Sequence, residues 1–323
     1  MNILSLFNGI SGLHLACDRA GLKVDNCYYS EIDKYANQVT EKQYPNDVAL
    51  GDVTKWREWN IDWSSIDLVG AGFPCQAWSV AGQQLGDKDE RGMLFWTTLE
   101  IIKHVLYFNP KAKFLMENVK MKKDFEEYIT HHTTQALGYV EKTLINSALV
   151  SAQNRQRYYW TNFEVTQPDD KGFLLKDILE SSIADFINPA SIPRYLGDNG
   201  KPKGYRKESE KSFCLTASMH KGYGNDGCTV VGGAIRGRYN DDGSTSQRLE
   251  LNGTEKTNSL TTVQKDNVAV YEDMTYRKLT PLECERLQTL PDNWTDCISN
   301  TQRYKSIGNG WTIDVIAHIL RGM

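Results

Sequence analysis

The sequence predicts an α/β protein: a doubly wound, mostly parallel sheet that is interrupted by a small β-rich insert and then completed by the end of the chain. Three observations predict it. Short apolar runs alternate with amphipathic stretches through the first half, the pattern of strands joined by crossover helices. After about Glu164 helical periodicity fades and Gly, Asn, Asp, Ser and Thr become frequent. From Tyr276 the helical periodicity returns.

Taken in order, Ile3–Phe7 is an apolar run of strand length, and Gly9, Ser11 and Gly12 turn the chain into a helix that continues through Ala20. Val24–Ser30 and Lys34–Tyr44 repeat the strand and helix. Asp67–Ala71 is a third strand, Phe95–Phe108 a helix and Lys113–Glu117 a further strand, with Tyr139–Leu149 and Arg157–Phe163 as a late strand pair. In such a sheet, ligands bind at the carboxyl ends of the strands. Within the insert, Lys211-Ser-Phe-Cys-Leu-Thr-Ala217 resembles Lys256-Thr-Asn-Ser-Leu-Thr-Thr262, and Cys228–Val231 is a short β-like run. Two related β-units flanking Gly232–Tyr239 make a compact module. Pro281 then starts a helix carrying Leu282, Arg286 and Leu287, and Thr312–Leu320 is a closing apolar-periodic helix. The expected division is 1–165, an insert over 166–275, and 276–323 completing the first domain.

The 323 residues suit one sizeable core plus a smaller module. No run of about 18 apolar residues exists, so no membrane span is expected. The start, MNILSLFNGISGLHLAC, lacks a basic leader and is broken by Asn8, Ser11 and His14, so it is expected to be a first strand rather than a secretion signal. The seven cysteines are odd in number and form no CxxC pair, which favours reduced thiols in a cytoplasmic protein over disulfides or a zinc site. The six histidines are scattered, and no metal is expected. The net charge of −4 speaks against an ordinary nucleic-acid binder. Between Arg194 and Lys221, however, seven basic residues face three acidic ones. Such a stripe can meet phosphates, and it is equally the pattern of a solvated lysine-rich loop.

The chemistry-bearing residues follow the strand ends. Phe7-Asn-Gly-Ile-Ser-Gly12 lets backbone approach a cofactor at a helix start. Glu31, in Ser30-Glu-Ile-Asp33, is placed to accept hydrogen bonds from ribose hydroxyls. Asp52, in Gly51-Asp-Val53, suits an adenine amino group, with Ile32 and Val53 flanking the ring. Together these fit an adenosine ligand without separating a nicotinamide cofactor from S-adenosylmethionine. Ala71-Gly-Phe-Pro-Cys-Gln-Ala-Trp-Ser79 presents Cys75 after a proline at a strand end, as a thiolate nucleophile would be. Alone, Cys75 is equally a buried packing thiol. Phe114-Leu-Met-Glu-Asn-Val119 brings Glu117 to the same edge, where it can act as a general acid or merely cap a helix. Arg155 and Arg157, two apart on a strand, are expected to face the same side and grip a base carbonyl or phosphates.

In this order the motifs resemble the DNA (cytosine-5) methyltransferase family: FxGxxG, GFPCQxxS, ENV, QxRxR, then Arg277-Lys-Leu-Thr-Pro-Leu-Glu-Cys-Glu-Arg-Leu-Gln288 and Tyr304-Lys-Ser-Ile-Gly-Asn-Gly310. They cover nearly the whole chain except roughly 165–275. Asn8 stands where alanine is usual in the family, Trp78 where phenylalanine is, and Gly310-Trp311 where a small residue and valine are common.

The resemblance implies a Rossmann-like S-adenosylmethionine-dependent methyltransferase sheet, with the insert as target-recognition domain. It implies a cofactor held by Phe7, Asn8, Gly9, Ile10, Ser11, Gly12, Glu31, Ile32, Asp52, Val53, Gly72, Pro74, Leu94, Asn309 and Gly310. Cys75, Glu117, Arg155 and Arg157 would be catalytic, acting on a flipped-out cytosine of double-stranded DNA. Gln76 and Ser79, within the GFPCQxxS loop, would meet DNA, and Gln76–Arg91 would close as a lid. Arg236, Arg238, Gln247 and Arg248 suit guanine edges or phosphates. A monomer in a bacterial or phage-infected cell, without a metal, is expected. Two alternatives keep the motif set: a tRNA cytosine-5 methyltransferase, and a catalytically silent DNA-binding paralogue. The long insert favours DNA over tRNA, and the presence of Cys75, Glu117 and Arg157 favours an enzyme. A nicotinamide dehydrogenase would need a hydride-relay His or Lys near the strand ends, and none stands out.

Overall fold

The computed structural model describes residues 1–74, 92–180, 231–239, 245–251, 256–260, 262, 267–270 and 276–323. The first part of the chain forms β1 (Asn2–Leu6), α1 (Gly12–Ala20), β2 (Asn26–Ser30), α2 (Lys34–Gln43), β3 (Val48–Ala49) and β4 (Ile66–Ala71). It continues through α3 (Met93–Phe108), β5 (Lys113–Val119), α4 (Lys123–Leu137), β6 (Glu141–Asn146), β7 (Gln153–Asn154) and β8 (Gln156–Thr161). The main sheet has seven strands in the order β3-β2-β1-β4-β5-β8-β6. The strands from β3 to β5 are parallel, whereas β8 runs antiparallel to both β5 and β6. The sheet is thus mostly parallel, as expected, and is mixed because β8 runs against its two neighbours.

Burial is nearly continuous along the central strands, as it must be where a sheet is covered on both faces. On one face Ile3, Leu68 and Leu115 pack with Leu13, Ala16, Ile316 and Ile319. On the other, Leu4, Val69, Phe114 and Met116 pack with Phe95, Ile102 and Ile129. Gly70 is required for this packing: a Cβ there would lie 2.7 Å from Leu13 Cδ2, so β4 admits α1 only because it carries no side chain at that point.

The remaining elements are β9 (Val231–Tyr239), β10 (Thr245–Leu251), β11 (Thr257–Asn258), β12 (Val268–Val270), β13 (Tyr276–Lys278), α5 (Pro281–Leu287), α6 (Asn300–Asn309) and α7 (Ile313–Leu320). A second sheet has the order β10-β9-β12-β13, and β11 pairs in parallel with β7. Tyr276–Lys278, which the sequence assigned to the closing segment, therefore pairs within the insert's sheet. Leu175 and Ile178, assigned to the insert, are buried in the main core. Of the weak internal repeat, Lys211–Ala217 lies outside the described residues. Pro281 does open α5, where Thr280 and Glu283 form a capping box. The chain then returns to its beginning: α7 lies on α1, Arg19 pairs with Asp314 at 2.6 Å, and the Trp294 indole donates to the Ile10 carbonyl at 3.0 Å.

Candidate active site

The order of the sheet reverses between β1 and β4, and a doubly wound sheet opens a crevice beyond its carboxyl edge at such a point. The turn after β1 is built for close approach: Phe7, Gly9 and Ser11 all have positive φ, at 56°, 56° and 65°. Two of these are not glycine, and left-handed backbone at such residues costs about 1 kcal/mol or more. A cleft of about 420 Å³, counted out to its open mouth, lies beside this turn. Phe7, Asn8, Gly9, Ile10 and Gly12 form one wall. Gly72 from the end of β4, with Asn309, Gly310 and Trp311, forms another.

Glu31 is held ready at the end of β2. Its Oε2 accepts from the Gly9 N–H at 2.8 Å, and its Oε1 from the N–H groups of Ile32 and Asp33, each at 2.8 Å. Ile32 leaves 78% of its surface exposed, an apolar flank suited to a flat ring. Asp52 uses Oδ1 for the N–H and hydroxyl of Thr54, both at 2.9 Å. These observations fit S-adenosylmethionine: an open glycine turn, a carboxylate fixed at the end of β2 by three backbone N–H groups, and an exposed apolar side chain. Val53 is buried in the core, Ser11 is fully buried with its hydroxyl on Thr40 at 2.8 Å, and Leu94 sits half-buried in the first turn of α3. Of these, Ser11 serves the cleft through its backbone.

The catalytic candidates meet at β5 and β8. Their register pairs Glu117 with Tyr159 and Val119 with Arg157, so Arg157 lies diagonally across from Glu117 on the same face. Arg157 Nε reaches Glu117 Oε1 at 3.0 Å. Glu117 Oε2 accepts from the Trp311 indole N–H at 2.9 Å. The carboxylate is mostly buried, and burial together with its charge pushes the neighbouring Tyr159 phenol up. Asn118 Nδ2 donates to the Phe73 carbonyl at 3.1 Å, tying the end of β5 to the segment that leads into Cys75.

Arg155 behaves differently from the sequence expectation. The strand breaks at this residue, between β7 and β8, so spacing two does not put both guanidinium groups on one target. Arg155 is buried and donates to the carbonyls of Gly310 at 2.9 Å, Leu260 at 3.2 Å and Gly308 at 3.4 Å. It grips the Gly-Asn-Gly segment while Arg157 takes Glu117. Sequence reasoning quoted Asn118 and Trp311 without assigning either a role. The only signal was that Trp311 departs from the family's usual small apolar residue.

Cys75, Gln76 and Ser79, together with the expected lid Gln76–Arg91, lie outside the described residues; Pro74 is the last residue before them. The four candidate DNA readers lie on the β9–β10 ribbon. Arg236 is the register partner of Arg248, Arg238 of Ser246, and Gln247 of Gly237. The basic stretch from Arg194 to Lys221 lies outside the described residues.

Among the described residues, one cluster brings metal-binding residue types together. His14, Cys27 and Asp47 place their donor atoms within 4.8 Å of one another, a gathering their sequence spacing hides. Two of them are already hydrogen-bonded, His14 Nδ1 to Asp47 Oδ2 at 2.9 Å. Burial, then the Asp47 charge, pushes the Cys27 thiol far up, against the thiolate that a metal requires. Among the described residues no helix is long and apolar enough to cross a membrane.

Comparison with known proteins adds independent findings. A family model described as C-5 cytosine-specific DNA methylase matches residues 1–323. Type II methyltransferase M1.ScrFI of Lactococcus lactis subsp. cremoris is 31% identical, covering 99% of this chain and 77% of its own. Type II methyltransferase M.NlaX of Neisseria lactamica is 30% identical, covering 99% and 95% respectively. The solved Entamoeba histolytica methyltransferase EhMeth superposes with a TM-score of 0.62 at 15% identity, over 99% of this chain and 96% of that one, a likeness of fold.

Proposed function

The chain belongs to the C-5 cytosine-specific DNA methylase family, and on that premise we propose that Cys75, Glu117 and Arg157 carry out its chemistry on a flipped-out cytosine. It is a DNA (cytosine-5) methyltransferase that uses S-adenosylmethionine. The observation that carries the residue assignment is the placement of Glu117. It sits at a strand end beside the cofactor cleft, braced by Arg157, on the strand that ties down Phe73.

Cytosine C5 is too weak a nucleophile to take a methyl group unaided. Cys75 thiolate adds to C6 while Glu117 gives a proton to N3, so the electron pair of the C5–C6 bond moves onto C5. S-Adenosylmethionine supplies the electrophilic methyl group that C5 accepts. The C5 proton then leaves to a base, Cys75 is expelled, N3 returns its proton, and 5-methylcytosine remains. Arg157 fixes Glu117 and offers its remaining N–H groups to the O2 side of the base. Phe7–Gly12, Glu31, Ile32, Asp52, Gly72, Asn309 and Gly310 hold the cofactor. Arg155 supports the site from behind by holding Gly310.

The base must leave the stack, at a cost of a few kcal/mol, and residues Gln76–Arg91 close over it. Arg236, Arg238, Gln247 and Arg248 of the β9–β10 ribbon, with the stripe from Arg194 to Lys221, meet the duplex, where Arg suits guanine edges and phosphates. Like the Type II relatives, the enzyme marks one short sequence, in a restriction–modification setting. It acts as a cytoplasmic monomer, since one chain supplies both the cleft and the carboxylate.

The test is adduct trapping. Duplex DNA carrying 5-fluorocytosine in the methylated sequence, found first by bisulfite sequencing, is incubated with protein and cofactor. A denaturation-resistant complex is expected from the wild type and none from Cys75→Ser. Its absence from active wild-type protein refutes the covalent route. Labelled methyl groups should enter duplex DNA and not tRNA.

A further inference from the structure

Both oxygens of Glu117 are engaged, but by donors of different kinds. Arg157 is a permanent cation, whereas the Trp311 indole is a neutral N–H that does not titrate. A carboxylate offers roughly four acceptor positions, so these two donors leave about two for a substrate while fixing the plane of the group. We propose that Trp311 is a positioning residue for the proton donor: its indole N–H sets the orientation of Glu117, and its ring separates that carboxylate from the cofactor cleft. This rests on the assignment of Glu117 as the donor to N3.

Three features hold the indole in place. First, Gly72 makes room for it, and Gly12 lies at ordinary van der Waals distance from the ring. A Cβ at Gly72 would lie 2.8 Å from Trp311 Nε1, and one at Gly12 would lie 3.7 Å from Trp311 Cε3. Second, the residue before it is clamped: the Gly310 carbonyl accepts from Arg155 at 2.9 Å and from Gln288 Nε2 at 3.2 Å. Third, the residue after it is clamped as well. Thr312 Oγ1 donates to Gln288 Oε1 at 2.8 Å and accepts from Ser147 Oγ at 2.9 Å. A side chain anchored on both flanks keeps its N–H aimed without losing much further rotamer freedom on reaction. Trp311 and the two glycines also line the cofactor cleft, so a single ring touches the space for the methyl donor and the group that prepares its acceptor.

In Trp311→Phe the ring wall stays and the N–H goes. The maximal rate should drop roughly tenfold or more. The KM for the cofactor should change less than about threefold, because the phenyl ring still closes the cleft. Trp311→Val removes both functions and should raise that KM as well. Thermal melts confirm that each variant is folded.

Glu117→Gln separates this proposal from the reading beneath it. A Glu117→Gln protein that methylates at the wild-type rate refutes the role of Glu117 itself. If Glu117→Gln is inactive but Trp311→Phe keeps the wild-type kcat, the positioning role is overturned. A rise in the cofactor KM of Trp311→Phe with kcat unchanged has the same meaning, since a residue that only walls the cleft would give that result.

Discussion

Side chains of one chemical type take opposite parts in this protein, and their surroundings decide which. Burial, helped by Asp18, pushes the Cys17 thiol up to about 12. Burial likewise pushes up Cys27 and Cys284, the latter with help from Glu283. Thiols of this kind pack as small apolar groups and do not react, since the thiolate is the nucleophile. Iodoacetamide at pH 8 should therefore leave Cys17, Cys27 and Cys284 unmodified in the native protein and alkylate the exposed Cys297. Peptide mass mapping reads this directly, and labelling of Cys27 without unfolding would contradict it. The two arginines of the QxRxR motif divide in the same way. Arg157 meets a carboxylate, and Arg155 meets the backbone carbonyls of Leu260, Gly308 and Gly310.

At the scale of elements, α5 is the joint between the second sheet and the main domain. Arg277, on β13, is fully enclosed and pairs with both oxygens of Glu283 in α5, at 2.7 and 2.6 Å. Glu283 also accepts from the backbone of Thr280 at 2.9 Å and of Glu180 at 2.8 Å. A buried pair of this kind adds little over a well-packed apolar contact, but removing one charge strands the other. Glu283→Gln should lower stability by about 3–5 kcal/mol, measured as the urea midpoint at unchanged slope. A loss under about 1 kcal/mol would show that the guanidinium finds other partners or water. The start of α5 was legible because Pro281 marks it. Helix α4 was not, since its buried residues are Glu126, Ile129 and Thr133, and a glutamate and a threonine at apolar positions hide the period. Helix α6 was missed for a related reason: Ser306 and Gly308 lie on its buried face.

At the scale of the molecule, the end of the chain completes a domain begun by its start. Helix α7 lies against α1, whose first residue closes the cofactor turn, and Ile316 is fully enclosed between them and the sheet. Ile316→Ala should cost about 2–5 kcal/mol and lower the melting temperature of the cofactor-free protein. A cost below about 1 kcal/mol would mean that α7 docks on fewer contacts than the packed core indicates. The same closure brings Asn309, Gly310 and Trp311 to a cleft whose other wall is built from residues 7–12.

The sequence by itself determined the α/β class and the family, and it singled out the strand ends where the candidate site residues lie, because glycine turns, strand-end carboxylates and a proline-presented cysteine are local patterns in a readable order. It also located Glu117 and Arg157 as partners in one site. Only the tertiary structure decided that Arg155 serves the backbone, that the late strands run antiparallel, that His14 and Asp47 meet, and that Trp311 holds Glu117. The reason is physical. Strand breaks, register and side-chain packing depend on contacts between residues far apart in the chain: 155 residues separate Arg155 from Gly310, and 194 separate Glu117 from Trp311. No local pattern encodes the direction in which such a side chain turns.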